Sequence, residues 1–362
     1  MIPVLIRVAK YFGHRVREIL VHFQRFFQST ELQRIVIFPS YDKQMGSSLL
    51  RAWEVGNELK KRKWRVTVVP SQLELVQRQR ILKYENPDFV ILQKHVHPLN
   101  NPHFYKSYRC IFDLDDADFL NSEKIKILIE CVKGSELVFA GSQYIREWCH
   151  KYNENVEVIW TGTPLQQNKF KFHPARRRNI IAWASSAPLK NPFEMRFIED
   201  VLKKVAQTHN IEFWLYGISP KQSPIKFFSK LDEYNIITKS FSYMSYKDYL
   251  LTLEEVAIGL QPLMVETNPY AKGKSFGKVL AYLASGVVVV ASDQADHGEF
   301  FKSGDNGYLV TDADEWAVVI GNLLDNPELR SVVANKAYND YMKKLSTKAV
   351  VRKVDAILRR NL

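Results

Sequence analysis

The sequence predicts an α/β protein of two domains, each built around a parallel sheet. Short apolar runs alternate with segments of helical periodicity, the pattern of strands joined by crossover helices. One run, Val287–Ala291, is almost wholly β-branched, as in a strand buried on both faces of a parallel sheet. The 362 residues are also too many for one ordinary hydrophobic core. A polar stretch, Thr161–Arg178, separates two sets of alternating elements and indicates a linker between domains.

The first set defines a predicted N-terminal domain at residues 31–165. The predicted strands are Ile35–Phe38, Val66–Val69, Phe89–Leu92, Ile111–Leu114, Leu137–Ala140 and Val156–Trp160. Helical periodicity lies between them at Ser48–Lys61, Leu73–Tyr84, Glu123–Lys133 and Gln143–Tyr152. Because each strand is followed by a helix, the strands are expected to be parallel and joined by right-handed crossovers.

The second set defines a predicted C-terminal domain at residues 166–345. Its predicted strands are Ile180–Ala184, Ile211–Tyr216, Val256–Leu260 and Val287–Ala291. Residues 346–362 have the pattern of a separate basic amphipathic helix that ends the chain.

Residues 1–30 are predicted to form a basic amphipathic helix. Apolar residues recur there at helical spacing, with arginines and lysines mostly between them. Arg7 and Lys10 interrupt the apolar stretch, so a signal peptide is a poor interpretation. Two interpretations remain open: the helix packs on the body of the protein, or it lies in the headgroup layer of an anionic membrane.

Composition narrows the partners of the chain. The formal charge of +12 and a pI near 9.4 indicate an anionic partner, which could be a membrane surface, a phosphorylated substrate or nucleic acid. No recognised nucleic-acid motif accompanies the charge, so nucleic acid is not expected. No apolar run approaches the roughly 20 residues that span a bilayer. The three cysteines have no metal-ligand spacing and are expected to be small core residues.

The stretch from Val256 to Val310 carries the clearest chemistry. It is predicted to form a strand, a polar loop, a helix over Lys274–Ser285 that Gly286 ends, and a second strand. Ser275 lies at the predicted helix start, with Lys274 and Lys278 one turn apart. Backbone amides and two ammonium groups can bind a phosphate or diphosphate there. The alternative is that the lysines only form a solvated helix face.

The same stretch resembles a known enzyme family. The run from Lys278 to Gly286, followed by a valine-rich strand, Glu299 and Gly304-Asp-Asn-Gly307, looks like the nucleotide-sugar-binding core of group 1, or family 4, GT-B glycosyltransferases. The resemblance implies two Rossmann-like domains with parallel sheets facing a central cleft, and a C-terminal helix at residues 346–362 that crosses back to the first domain. Ala281 stands where the family has the glutamate that holds the donor ribose, and Val288 replaces the usual proline.

The resemblance also implies which residues form the site. Lys190, Lys274 and Lys278 would share the donor diphosphate, with Ser185 in place of the usual arginine. The remaining implied contacts are Ser275 beside the phosphates, Glu299 near the sugar or ribose, and Gly46 in the first loop of the N-terminal domain. The implied catalytic residues are Lys190, Lys274 and Glu299.

The loop around Gly46, His297 and one acidic cluster have competing interpretations. Gly46, like Ser47 and Arg51, matches a family loop that faces the cleft, but the segment could equally form an ordinary helix cap. His297 could be a base, although a lone loop histidine is usually solvated. The cluster Asp113-Leu-Asp115-Asp116 is expected to order a loop or face the acceptor rather than bind a metal.

Taken together, the resemblance implies a glycosyltransferase that uses a nucleotide-diphospho-sugar, UDP- or GDP-linked, as donor substrate and has no other cofactor. The reaction is expected to be retaining and metal-independent. The acceptor would be a polysaccharide or lipid-linked glycan, and the protein would be peripheral on the inner face of the cytoplasmic membrane. The alternative, motivated by Ala281 and Ser185, is a degenerate GT-B protein that binds a sugar nucleotide or glycan without transfer.

Overall fold

The computed structural model describes residues 13–23, 32–164, 173–185, 187–219, 221 and 223–362. The chain forms two compact units. Unit 1 comprises Met1–Pro164 and Thr347–Leu362, and unit 2 comprises Leu165–Ser346. Parts of the predicted N-terminal helix (residues 1–12 and 24–31) and of the predicted linker (165–172) lie outside the described residues. In the part of the chain that is described, no helix is both long and apolar enough to cross a membrane.

Unit 1 contains a parallel sheet of six strands. The strands are β1 (Arg34–Phe38), β2 (Arg65–Val68), β3 (Phe89–Gln93), β4 (Cys110–Leu114), β5 (Leu137–Ala140) and β6 (Val156–Val158). Their order is β2-β1-β3-β4-β5-β6, and every neighbouring pair is parallel. The direction of winding reverses between β1 and β3, so the loops after these two strands lie side by side at the switch point.

Helices cover both faces of the unit 1 sheet. They are α1 (residues 13–23), α2 (Gly46–Ser48), a π-helical turn (Leu49–Trp53), α3 (Glu54–Lys61), α4 (Leu75–Glu85), α5 (Ile125–Lys133), α6 (Gln143–His150) and α14 (Thr347–Arg360). One core lies under α4, α5 and α6, and a second under α3 and α14. The C-terminal helix thus fills a face that the first 164 residues leave incomplete.

Unit 2 contains a second parallel sheet of six strands. They are β7 (Ile180–Ala184), β8 (Glu212–Tyr216), β9 (Ile237–Phe241), β10 (Ile258–Gln261), β11 (Val288–Ser292) and β12 (Tyr308–Val310). The order is β12-β11-β10-β7-β8-β9. Numbered within the unit, this is the Rossmann order 3-2-1-4-5-6, whose switch point lies between β7 and β10.

Helices also cover both faces of the unit 2 sheet. They are α7 (Pro192–Ala206), α8 (Ile225–Asp232), α9 (Tyr246–Leu253), α10 (Val279–Ala284), α11 (His297–Phe300), α12 (Ala313–Asp325) and α13 (Pro327–Lys344). A core of buried apolar side chains from β7, β8, β10 and β11 packs against α7, α8, α12 and α13.

Two strands of unit 2, β9 and β12, are missing from the sequence prediction. Both are at sheet edges. β9 has the sequence ITKSF and no buried residue, and its first residue Ile237 is 66% exposed. β12 has three residues. An edge strand that is partly solvated lacks the continuous apolar run that marks the central strands.

Candidate functional site

The candidate donor residues of unit 2 lie on three loops that leave neighbouring strands. β10 pairs with both β7 and β11, and all three strands run in the same direction. The loops after these strands therefore start at the same edge of the sheet. Lys190 follows β7, Lys274, Ser275 and Lys278 follow β10, and Glu299 follows β11. This edge includes the switch point, where open α/β sheets bind their ligands.

The loop after β7 is short and tied together by Ser185. The Ser185 hydroxyl accepts hydrogen bonds from the Asn191 side-chain amide at 3.2 Å and from the Ala187 backbone N–H at 3.4 Å. A single 3-10 turn, Pro188–Lys190, precedes α7 and leaves Lys190 exposed to solvent. Ser185 thus shapes the loop, whereas Lys190 carries its positive charge.

The predicted helix over Lys274–Ser285 is wrong in its first turn. Lys274 follows a 3-10 turn and is extended, with φ −74° and ψ 147°. The chain then passes Gly277 at φ +25°, and α10 begins only at Val279, with Lys278 as its N-cap. Lys274 and Lys278 therefore do not share a helical face. A tight loop holds them near each other, and because α10 has six residues its dipole adds little to anion binding.

Lys278 reaches solvent although protein atoms crowd its ammonium group. Burial, and then the positive charge of Lys274, lower the pKa of Lys278 below the ordinary value of 10.5. An anion bound between the two lysines would oppose both effects, because it favours the charged form of each. The local electrostatics therefore suit a phosphate better than a neutral ligand.

The helix after this loop is packed too tightly for a polar ligand contact at Ala281. Ala281 is 1% exposed, and its neighbour Tyr282 is completely buried. The Tyr282 ring lies against Gly259 of β10, where an added Cβ would come within 2.6 Å of the ring. Its hydroxyl donates to the Ala182 carbonyl of β7 at 3.3 Å. The helix ends at Gly286, whose φ of +64° confirms the predicted stop.

The third loop carries a buried histidine and an exposed glutamate. The idea that His297 is solvated is wrong: it is 0% exposed and its Nδ1 lies 2.8 Å from the Ser292 carbonyl. Burial lowers the pKa of His297, and backbone groups of Ser292 and Ser275 partly oppose that effect. His297 therefore anchors its turn to the end of β11, and the same turn presents Glu299 to solvent.

The glycines of Gly304-Asp-Asn-Gly307 serve the next turn rather than a ligand. Gly304 has φ +82°. A Cβ on Gly307 would come within 2.5 Å of the Phe301 ring. The Asn306 side chain closes the turn by accepting from the Lys302 N–H at 2.7 Å and donating to the Phe300 carbonyl at 3.1 Å.

In unit 1, Gly46 starts the short helix α2 after the loop that follows β1. It is exposed, and a Cβ there would meet no atom within 4 Å. The idea that Arg51 also faces a ligand is wrong. Arg51 is 7% exposed, forms two hydrogen bonds with the Asp113 carboxylate, and donates to the Ile159 carbonyl at 2.9 Å.

The acidic cluster after β4 is neutralised by neighbouring cations. Lys94, after β3, contacts Asp115 at 2.6 Å and Asp116 at 2.5 Å, while Arg51 pairs with Asp113. Among the described residues, no group of His, Cys, Asp or Glu side chains is arranged to hold a metal ion. These ion pairs connect the loops after β3 and β4, a loop-ordering role.

Solved structures of sugar-transferring enzymes share this fold. Sucrose-phosphate synthase from Thermosynechococcus elongatus matches with TM-score 0.69 and 12% identity, covering 91% of this chain and 98% of that one. HepE from Anabaena, in complex with UDP and glucose, matches with TM-score 0.68 and 14% identity, covering 91% of this chain and 100% of that one. A glycosyltransferase from Rickettsia africae matches with TM-score 0.66 and 14% identity, covering 91% of this chain and 98% of that one. At such identities the likeness shows the fold, which is GT-B with two Rossmann-like domains.

A family model matches less than half of the chain. Residues 196–356 match the model of the glycosyl transferase-like family, so this segment is similar to glycosyltransferases. The matched segment contains Lys274, Ser275, Lys278 and Glu299, whereas Gly46 and Lys190 precede it. No curated protein sequence matches the chain.

Proposed function

We propose that this protein is a glycosyltransferase that moves a sugar from a UDP-sugar, bound by unit 2, to a polysaccharide or lipid-linked glycan. One observation carries the donor part of the proposal: Lys190, Lys274 and Lys278 lie on loops that leave β7 and β10, the two strands at the switch point. Their ammonium groups are suited to the diphosphate of the donor. Each charge-assisted contact contributes about 1.5–3 kcal/mol.

In the proposed mechanism these lysines stabilise the leaving diphosphate as its bond to the sugar breaks and the acceptor oxygen bonds to the same carbon. The proton of the acceptor hydroxyl passes to an oxygen of the departing diphosphate. The catalytic roles belong to Lys190 and Lys274, with Glu299 on the sugar or ribose. Ser275 contributes backbone contacts to the phosphates. We propose the retaining, metal-independent chemistry of the family 4 type, and we assign no side chain as general base.

The UDP-linked donor is preferred over a GDP-linked one because the similar enzyme HepE binds UDP and glucose in its structure. Ribose recognition would differ from the family pattern. Ala281 is buried and apolar, so Glu299 is the carboxylate of the usual pair that remains to contact the ribose. A site with one carboxylate is expected to hold the ribose less tightly than a site with two.

The acceptor and its location rest on unit 1. We propose that Gly46, which leaves open space at the start of α2, lies on the acceptor side and lets a bulky ligand approach the backbone. The basic N-terminal helix places the enzyme on the inner face of the cytoplasmic membrane, as a peripheral protein that meets a glycan acceptor there.

Isothermal calorimetry of the whole protein against UDP-, GDP-, CMP- and dTDP-sugars tests the donor. We expect UDP-sugars to bind and Lys274→Ala to weaken binding about tenfold or more, since one charge-assisted contact is lost. Lys226→Ala is the matched control, because Lys226 is an exposed lysine of α8. Equal loss in both variants, or binding of another nucleotide class alone, would contradict the proposal.

Turnover is measured separately, as release of UDP in the presence of glycan acceptors. Release that depends on the acceptor and falls in Lys274→Ala supports transfer. Tight UDP-sugar binding without release under any acceptor would favour the degenerate interpretation, for which the buried Ala281 and the loop-bound Ser185 are the motivating features.

A further inference from the structure

Helix α1 is oriented with its apolar face outward. His14, Glu18 and Val21 are 5%, 5% and 1% exposed and face the body of unit 1. The residues on the other side, Val16, Ile19, Leu20 and Phe23, are 53%, 52%, 58% and 54% exposed. Because they are separated by three or four residues (Val16 from Ile19 and Leu20, and Phe23 from Leu20 and Ile19), they form one continuous stripe along the helix. An amphipathic helix that only packed on the protein would present this stripe to the core.

Ion pairs hold α1 in this orientation. Arg80 of α4 donates two hydrogen bonds to the Glu18 carboxylate, at 2.8 and 2.7 Å. Arg15 lies 3.5 Å from the same carboxylate, and His14 lies 3.8 Å from that of Glu74. Rotating the helix to bury the stripe would break these pairs and leave Glu18 uncompensated. The outward stripe is therefore a fixed feature of unit 1.

Beside the stripe, α1 and α4 form the walls of an open groove of about 730 Å³. Arg15, Glu18, Ile19 and His22 line it from α1, and Arg80, Lys83 and Tyr84 line it from α4. Three cations face one carboxylate, so the groove is positive. Val76, also on α4, is 63% exposed and extends the apolar surface. A positive groove thus adjoins a row of aliphatic and aromatic side chains.

We propose that this face docks on an anionic phospholipid bilayer, with the stripe in the acyl boundary and a lipid phosphate in the groove. The inference deepens the proposed peripheral location by assigning the surface that makes the contact. Charge decides among occupants. A second copy would set the same arginines and lysines against each other, and nucleic acid offers nothing to an exposed aliphatic stripe. An anionic bilayer matches both the charge and the apolar residues.

Flotation of the full-length protein tests the proposal, with vesicles of phosphatidylcholine alone or mixed equally with phosphatidylglycerol. The test variant is Ile19→Glu/Leu20→Glu, and its matched control is Val318→Glu/Val332→Glu, two residues of unit 2 that are 62% and 66% exposed. We expect the wild type and the control to float with mixed vesicles only. The test variant should bind mixed vesicles at least about tenfold more weakly than the wild type.

A second pair isolates the charge. Lys83→Glu should weaken binding to mixed vesicles and leave the protein's self-association unchanged, whereas Lys126→Glu, at an exposed position of α5, should bind as the wild type does. Wild-type protein that ignores mixed vesicles, or binds pure phosphatidylcholine equally, overturns the proposal. So does a dimer, seen by sedimentation, that the Ile19→Glu/Leu20→Glu variant abolishes.

Nucleotide-sugar calorimetry on the same variants separates this inference from the proposed function. Because the altered side chains are exposed and belong to unit 1, donor binding and the unfolding temperature should match those of the wild type. Lost vesicle binding with intact donor binding supports the docking surface. Intact vesicle binding in the test variant rejects the surface and leaves the donor assignment standing.

Discussion

At the scale of single residues, surroundings decide which charges remain available to a ligand. Lys190 is exposed, whereas Arg51, equally cationic, is buried against Asp113 and serves the fold. The residues around Arg51 in the sequence do not predict this pairing, because its partner Asp113 is 62 residues away. The exposed lysines of unit 2 are instead recognisable by their place in the loops that follow β7 and β10.

The lowered pKa of Lys278 predicts how donor affinity depends on pH. The folded-state pKa lies below 10.5 because of burial and Lys274, so Lys278 loses its charge earlier than an ordinary lysine as pH rises. Donor affinity should therefore begin to decrease at a lower pH than an ordinary lysine would cause, and binding should take up protons in that range. Lys278→Arg keeps its charge in this range and should flatten the profile.

Calorimetry in two buffers of different ionisation enthalpy measures both the affinity and the proton uptake. The Lys226→Ala variant should follow the wild-type curve. Parallel curves for the wild type and Lys278→Arg would mean that Lys278 does not contact the diphosphate.

At the scale of elements, the C-terminal helix α14 is a helix of clear local pattern that packs on a sheet distant in sequence. Its buried residues Val350, Val351, Val354, Ile357 and Leu358 join the core of the unit 1 sheet. The Lys353 ammonium donates to the Val158 carbonyl at 2.9 Å, and the Trp64 indole donates to Asp355 at 2.7 Å. The amphipathic pattern predicts the helix, the family resemblance implies that it crosses back to the first domain, and these contacts assign it to unit 1.

Leu358→Ala should therefore destabilise unit 1. Leu358 is 0% exposed, and truncating a buried leucine costs about 2–5 kcal/mol, because a cavity replaces packed atoms. Hydrogen exchange should quicken in β1 to β6 and remain unchanged in β7 to β12. Arg352→Ala, an exposed position of the same helix, is the control. Faster exchange in unit 2 instead of unit 1 would contradict the assignment.

Helix α10 shows that a local pattern can also misplace the start of a helix. The apolar spacing after Lys274 is helical, and the sequence prediction extended the helix through it. The positive φ of Gly277 stops the helix from reaching back to Lys274. Gly286, which also has positive φ, ends the helix as predicted. Periodicity identifies a helix better than it locates the first turn, where a glycine can favour a loop.

At the scale of the whole molecule, the two sheets use different orders of the same kind of strand. Unit 1 reverses its winding between β1 and β3, and unit 2 between β7 and β10. Each reversal creates one place where loops diverge and a ligand can enter. In unit 2 that place is next to Lys190, Lys274 and Lys278, which is why the donor is proposed there and not in unit 1.

Hydrogen exchange of the full chain with UDP should map this division. We expect slower exchange in residues 187–191, 262–278 and 293–299, because the bound nucleotide orders the loops after β7, β10 and β11. The strands of unit 1 should exchange at unchanged rates. Protection centred on the loops after β1 and β3 would place the nucleotide in unit 1 and refute the donor assignment.

The sequence by itself determined the α/β class and the central strands, and its resemblance to a known family indicated the candidate lysines. The class and the strands follow from side chains near each other in the chain: apolar runs, helical spacing, and glycines that end helices. The tertiary structure decided the strand order, the burial of Arg51 and His297, the edge strands β9 and β12, and the outward stripe of α1. Each of these depends on partners distant in sequence, as the orientation of α1 depends on the ion pair between Glu18 and Arg80. Local spacing does not predict such pairs.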